Sequence, residues 1–211
     1  IPFARGRVRS RAKSDVIQEV KELAANGYQE VVLTGIHLSS YGVDLDGEDL
    51  LSLILAVNEV DGIKRIRLGS LEPKIVTEEF AMQLAKLDKI CPHFHLSLQS
   101  GSDKVLKSMN RHYTREEYLR ACKMIYDAFP SAGITTDIIV GFPGETYDEF
   151  KDTLSLVREV QFSALFTFIY SPRGGTPAAI MEDPVTREEK GKWFDELLEL
   201  QDNIQNKKRG I

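Results

Sequence analysis

The sequence predicts an α/β fold built on a parallel sheet of about five strands, and three observations lead there. Apolar residues recur first at the helical period and then in short β-branched runs, so helix and strand alternate along the whole chain. The units follow one another at roughly thirty residues, the size of one strand–helix–strand crossover. Each strand runs at its C-terminal end into a turn rich in glycine or serine, the end at which parallel α/β folds build their sites. Five units are too few to close an eight-stranded barrel. Either the sheet is open or strands are missing, and a strand before Ile1 is expected.

The elements follow in order. Asp15 to Ala25 places Val16, Ile17, Val20, Leu23 and Ala24 at the helical period, with Gly27 positioned to stop it. Val31 to Thr34 is a strand running into Gly35-Ile36-His37-Leu38-Ser39-Ser40-Tyr41-Gly42. Leu50, Leu51, Ile54, Val57 and Val60 form a helix ended near Gly62. Ile63 to Leu68 is the second strand, followed by Gly69-Ser70-Leu71-Glu72-Pro73 and a helix opened by Thr77. Phe94 to Leu98 is the third strand, running into Gln99-Ser100-Gly101-Ser102. Thr114 with Glu117 forms a Thr-x-x-Glu capping box for a helix that turns Leu119, Cys122, Ile125 and Phe129 inward. Thr135 to Val140 is a buried strand, Gly141-Phe142-Pro143-Gly144-Glu145 a tight turn, and Thr146 with Glu149 a second box. Ala164 to Tyr170 is the last strand, and Thr186 with Glu189 opens the last helix through Trp193, Leu197 and Ile204.

Composition sets bounds. A chain of 211 residues, 42% hydrophobic, is long enough to bury one substantial core. Mean hydropathy is −0.23 and no apolar run approaches a membrane span, so a soluble protein is expected. Cys91 and Cys122 lie on separate predicted elements, which argues against a disulfide scaffold and fits a reducing cytoplasmic compartment. No signal peptide is visible, and an opening Ile1 in place of methionine suggests an excised domain. The net charge of −5 does not advertise a nucleic-acid binder. The charge is uneven: Arg5, Arg7, Arg9, Arg11 and Lys13 open the chain, and Lys207-Lys208-Arg209 closes it. Such runs are either solvated ends or RNA contacts.

The third strand is the most informative. Phe94, Leu96 and Leu98 share one face, while His93, His95, Ser97 and Gln99 share the other. A parallel sheet covered on both sides is apolar on both, so a polar face implies a wet cavity or a bound polar ligand. Thr135, Asp137 and Ile139 likewise oppose Thr136, Ile138 and Val140, and the combination suits a zwitterionic or ribose-containing molecule. His93 and His95 are spaced for a metal, but no third ligand is evident. A Schiff-base enzyme is disfavoured because Lys74 is the only lysine near a strand end. A non-catalytic RNA-binding module is the alternative of another class, though a basic strip with stacking aromatics is weak here.

Five stretches then carry a family resemblance. They are Ile1-Pro2-Phe3-Ala4-Arg5-Gly6-Arg7-Val8-Arg9-Ser10-Arg11, Gln99-Ser100-Gly101-Ser102, Met109-Asn110-Arg111-His112-Tyr113, Gly141 to Thr146, and Tyr170-Ser171-Pro172-Arg173-x-Gly175-Thr176-Pro177. In this order and spacing the chain resembles the radical S-adenosylmethionine enzymes, and within them the methylthiotransferases. Thr34 to Gly42 and Gly69 to Pro73 are most similar to the subclass acting on threonylcarbamoyladenosine in tRNA. The alternatives are the subclasses acting on isopentenyladenosine in tRNA or on an aspartate of a ribosomal protein.

The resemblance implies an incomplete parallel (β/α) barrel of the radical SAM type over residues 1–211, lacking its first strand. It implies S-adenosylmethionine and two 4Fe–4S clusters, with the cluster cysteines outside this sequence. Cys91 and Cys122 are expected only to pack. The implied reaction removes hydrogen from C2 of the modified adenine through a 5′-deoxyadenosyl radical and installs sulfur and methyl there. Implied partners are tRNA and a flavodoxin-type electron donor, and the fragment alone is expected to be inactive. Implied cofactor contacts are Thr34, Gly35, Ser97, Gln99, Ser100, Arg111, Asp137, Ile139, Val140 and Gly141. His37, Ser39, Glu72 and Arg173 are the implied substrate contacts, and no metal ligand is assigned within the chain.

Overall fold

A computed structural model of the chain describes residues 6–210. Ile1 to Arg5, half of the opening motif, lie outside the described residues. Two compact units are present, one within Ile1–His95 with Met124–Ala132, the other within Leu96–Lys123 with Gly133–Ile211. The first holds α1 (Lys13–Ala25), β1 (Glu30–Leu33), α2 (Leu50–Asn58), β2 (Arg65–Leu68), α3 (Glu78–Ala85) and β3 (His93–His95). The rest of the chain supplies α4 (Asp103–Ser108), α5 (Arg115–Ala128), β4 (Gly133–Val140), α6 (Tyr147–Val160), β5 (Ala164–Ile169) and α7 (Arg187–Arg209).

In the first unit β1 and β2 pair in parallel, from Glu30 opposite Arg65 to Leu33 opposite Leu68. Ile66 also bridges to Ile90 in parallel, and the Leu71 N–H donates to the His95 carbonyl at 2.9 Å. Ile54, Val57 and Ile66 have no exposed surface and centre this core. Gly27 stops α1 as expected: at φ +88° its N–H donates to Ala24 O, and Tyr28 N–H returns to Leu23 O.

In the second unit β4 and β5 pair in parallel, from Thr135 opposite Ala164 to Val140 opposite Ile169. The expected alternation holds on β4, with Ile138 and Val140 buried and Asp137 and Ile139 half-buried. Phe150 and Leu154 of α6 and Trp193 and Leu197 of α7 are buried, and the Phe150 and Trp193 rings stack at 5.5 Å. Burial on this scale is the main stabilising term, roughly 1.5–3 kcal/mol for each large apolar side chain.

All three anticipated capping boxes form, at Thr114/Glu117, Thr146/Glu149 and Thr186/Glu189. A fourth, Asp49 with Ser52, opens α2 in a residue pair the Thr-x-x-Glu pattern does not describe. The six-residue α4 was not anticipated either: it is shorter than two helical turns and has no periodicity to read. The third strand is shorter than expected. Its ladder stops at His95 because the chain bulges between Leu96 and Gln99.

Candidate functional site

The bulge is built from hydroxyl groups. Leu96 N–H donates to Thr135 O and Gln99 N–H to Asp137 O, so three steps on one strand face two on the other. The side chain of Thr136 fills the gap, donating to Leu96 O at 2.5 Å and accepting from Leu98 N–H at 2.9 Å. Tyr113 donates to the carbonyls of Ser97 and Leu98 at 2.9 Å each, and Tyr118 donates to Leu96 O at 3.0 Å. These groups would otherwise be orphaned in a buried strand end, at roughly 1–3 kcal/mol each. The bulge delivers Gln99 at φ +78°, a left-handed conformation that a residue with a side chain rarely adopts. Such strain concentrates at functional sites.

After Gln99 the chain turns against α6. Thr153 Oγ1 accepts from Gly101 N–H at 2.8 Å and lies 3.4 Å from Ser100 Oγ, which itself accepts from Ser102 N–H at 3.2 Å. A Cβ on Gly101 would stand 2.6 Å from Thr153 Cα, so glycine is required here by a close backbone approach. Ser100 has no exposed surface. Its hydroxyl is engaged inside the turn, and Ser100 is not among the residues that line the cavity described below.

The turn after β4 is held in a similar way. Glu145, 2% exposed, accepts from Gly141 N–H at 2.6 Å and from Phe142 N–H at 3.2 Å. Burial pushes its carboxyl up to about 7, against the pull of these two N–H groups; the Glu149 charge adds to the rise and Lys190 opposes it. Gly141 has φ +71°, and the space of its missing Cβ is taken by the Lys190 side chain. The Gly141 N–H belongs to Glu145 and the Ile139 N–H to Gln99 O, while Val140 has no exposed surface and its carbonyl accepts from Tyr170 N–H. Of these three implied cofactor contacts, Ile139 lines a cavity, while the Gly141 N–H and the Val140 carbonyl are engaged within the protein.

That cavity encloses about 600 Å³ and is lined by Gln99, Asp137 and Ile139 on one side and Phe168, Tyr170, Arg173 and Thr176 on another. Four of the expected site residues thus come together. The hydroxyl of Tyr170 is buried without a partner, and so is Nε of Arg111. Tyr170 lines the cavity with the strained Gln99, and its orphaned hydroxyl suits a ligand that carries acceptors, whereas Arg111 is not among the lining residues. Ser97 is half-buried with its carbonyl taken by Tyr113, and Arg173 is exposed.

In the first unit the expected residues engage one another. His37 Nε2 lies 2.8 Å from Glu72 Oε1, and Ser39 Oγ accepts from Glu72 N–H at 2.9 Å. The loops after β1 and β2 are therefore side by side, as expected for adjacent strand ends, and latched. Thr34 and Gly35 are exposed at the end of β1. His93 is held below the usual histidine range by burial, then by the charges of Arg67 and His95. Among the described residues no group of three His, Cys, Asp or Glu side chains is placed to hold a metal ion. A further depression of about 630 Å³ beside α1 is walled by Lys13, Lys21, Asp46 and Glu48. Lys13 and Glu48 pair there at 2.6 Å, and we assign it no role. Of the basic opening, Arg11 is paired with Glu19.

Sequence reasoning missed Thr136, Tyr113, Tyr118, Thr153 and Lys190. One signal was legible: Thr136 is a hydroxyl on the otherwise apolar face of its strand.

The profile of the Radical SAM superfamily matches residues 2–157. A tRNA-2-methylthio-N(6)-dimethylallyladenosine synthase of Carboxydothermus hydrogenoformans is 47% identical over 205 residues, 97% of this chain and 47% of that protein. The synthase of the same name from Clostridium novyi is 46% identical over 209 residues, 99% of this chain and 46% of that protein. The chain thus spans about half the length of the curated relatives it matches. Among solved structures, coproporphyrinogen III oxidase of Escherichia coli, described as a radical SAM enzyme, superposes with a TM-score of 0.67 at 14% identity over 94% of this chain and 48% of that one. The radical S-adenosylmethionine methyltransferase TsrM of Kitasatospora setae gives 0.66 at 20% identity, over 83% and 34%. The parallel β/α class of fold expected from the sequence is borne out.

Proposed function

We propose, from the premise that this chain belongs to the radical SAM superfamily, that it is the catalytic core of a tRNA methylthiotransferase. The cavity carries this reading: a carboxylate, a carboxamide, a guanidinium and an aromatic ring converge at the C-terminal ends of β4 and β5. The residues fit S-adenosylmethionine, because the orphaned Tyr170 hydroxyl on the cavity wall is a donor awaiting an acceptor and Asp137 suits a ribose hydroxyl or an ammonium. Gln99 and Asp137 would hold the nucleoside, Ile139 and Phe168 would pack on its base, and Arg111 would take the carboxylate. Superfamily membership implies that S-adenosylmethionine and a 4Fe–4S cluster supply the one-electron chemistry. This chain's own residues would orient the reactants and exclude water.

The two cysteines, Cys91 and Cys122, do not fit a cluster. Both are buried, and burial pushes the Cys122 thiol up to about 12, far from the thiolate a cluster needs. Neither is assigned as a cluster ligand. A second cluster, a flavodoxin-type electron donor and a cytoplasmic setting belong to the proposal only as the resemblance implies them.

The substrate reading moves from threonylcarbamoyladenosine to dimethylallyladenosine, the nucleoside in the names of relatives 46–48% identical to this chain. The latch supports the move, since His37, Ser39 and Glu72 are engaged with one another. Arg173, an exposed cation on the cavity wall, is the one observation favouring a carboxylate-bearing substrate. The test is the complete enzyme on tRNAs carrying each nucleoside, read by mass spectrometry of the digested RNA. The 2-methylthio product is expected from the dimethylallyl tRNA, and no product from either tRNA would overturn the reading. A preference for threonylcarbamoyladenosine that Arg173→Ala abolishes would assign the substrate to that nucleoside instead.

A further inference from the structure

Lys190 of α7 is 5% exposed, unusual for a lysine, and none of the cavity contacts uses it. Its side-chain carbons, Cγ and Cδ foremost, occupy the space a Cβ on Gly141 would take. Its ammonium pairs with Asp183. Asp183 lies on the segment between β5 and α7 that also carries Tyr170, Arg173, Thr176 and Ala178 of the cavity wall. One buried side chain therefore touches the turn after β4 with its stem and the segment after β5 with its charge.

We infer that Lys190 is a positioning residue that ties the Arg173–Thr176 wall of the cavity to the Gly141 turn, so that both walls are set by one buried cation. The inference rests on the reading of the cavity as the S-adenosylmethionine site for its use, though not for its geometry. Lys190 is the buried partner of this pair and Asp183 the more exposed one, so removing Asp183 leaves a buried ammonium uncompensated. A second consequence concerns Glu145, which holds the same turn through the N–H groups of Gly141 and Phe142. The charges acting on Glu145 are Lys190 from α7 and Glu149 from α6, with Glu149 paired to Lys104 of α4 at 2.7 Å. Lys190 favours the ionised carboxylate, the form that accepts both bonds best.

The experiment uses the 211-residue chain and needs no ligand. Amide exchange is followed by NMR at Gly141, Phe142 and 171–183, with the Glu145 carboxyl titrated in the same samples. In Lys190→Met, exchange in 171–183 should quicken about tenfold and the Glu145 midpoint should rise. Lys190→Arg keeps stem and charge and should recover most of both; a lysine that merely filled space would leave the midpoint alone. Asp183→Asn, at a half-exposed residue, tests the tie should Lys190→Met not fold: exchange in 171–183 should quicken while the Glu145 midpoint does not rise. Wild-type exchange in 171–183 in either variant overturns the inference. Equilibrium dialysis of the wild-type chain with S-adenosylhomocysteine separates the two readings, because failure to bind would sink the cofactor site and leave the exchange result standing.

Discussion

The strand-end loops of the first unit and the strand-end turns of the second are built from similar polar residues and held in opposite ways. After β1 and β2, His37 and Glu72 meet side chain to side chain at 2.8 Å with their side chains 49% and 35% exposed. After the bulge and after β4, buried Thr153 and Glu145 accept from backbone N–H groups that water does not reach. An exposed pair gains little over hydration, whereas a buried acceptor removed from a backbone donor leaves that donor unsatisfied. The same chemistry is thus adjustable in one region and structural in the other.

The harshest test of that contrast is Gly101→Ala. The new methyl would meet Thr153 Cα at 2.6 Å and Asp152 O at 2.7 Å, both backbone of α6, so a loss of about 3 kcal/mol is expected in denaturant unfolding. A neutral outcome would mean that the turn does not rest on α6.

Next comes pH. Glu145 binds its proton more tightly folded than unfolded, since its carboxyl is raised from 4.5 to about 7. Between those values the native state holds more protons than the unfolded one, so stability is greatest below pH 4.5 from this group and falls as pH rises through 7. The swing is on the order of 3 kcal/mol, and Glu145→Gln should flatten that part of the stability–pH curve. An unchanged slope would place Glu145 in a wetter setting than its burial indicates.

Thr153→Val keeps the shape and removes the acceptor of Gly101 N–H, for an expected loss of about 1–2 kcal/mol by thermal unfolding. Gln99→Gly should go the other way. Relief of its left-handed backbone is worth about 1 kcal/mol of stability, accompanied by weaker S-adenosylhomocysteine binding because the cavity loses its carboxamide. Smallest of all is Glu72→Gln in the exposed latch, expected within about 0.5 kcal/mol of wild type. A loss there as large as that of Thr153→Val would erase the distinction between the two regions.

The sequence by itself determined the order of the elements, the ends of most helices and the faces of the strands. Those features are local: helical and alternating periods, a Gly27 stop and Thr-x-x-Glu boxes act within a few residues of chain. The motifs likewise placed Gln99, Asp137, Ile139 and Arg173 at strand ends, and all four line the cavity. Tertiary structure alone decided how the polar groups are spent. Thr153 lies 52 residues from Gly101, Thr136 lies 40 from Leu96, and Lys190 reaches Gly141 from another helix. Whether Ser100 or Gly141 offers its hydrogen bond to a ligand or to the protein depends on partners brought in from such distances. Sequence spacing does not carry that information, because burial and long-range packing choose the partner.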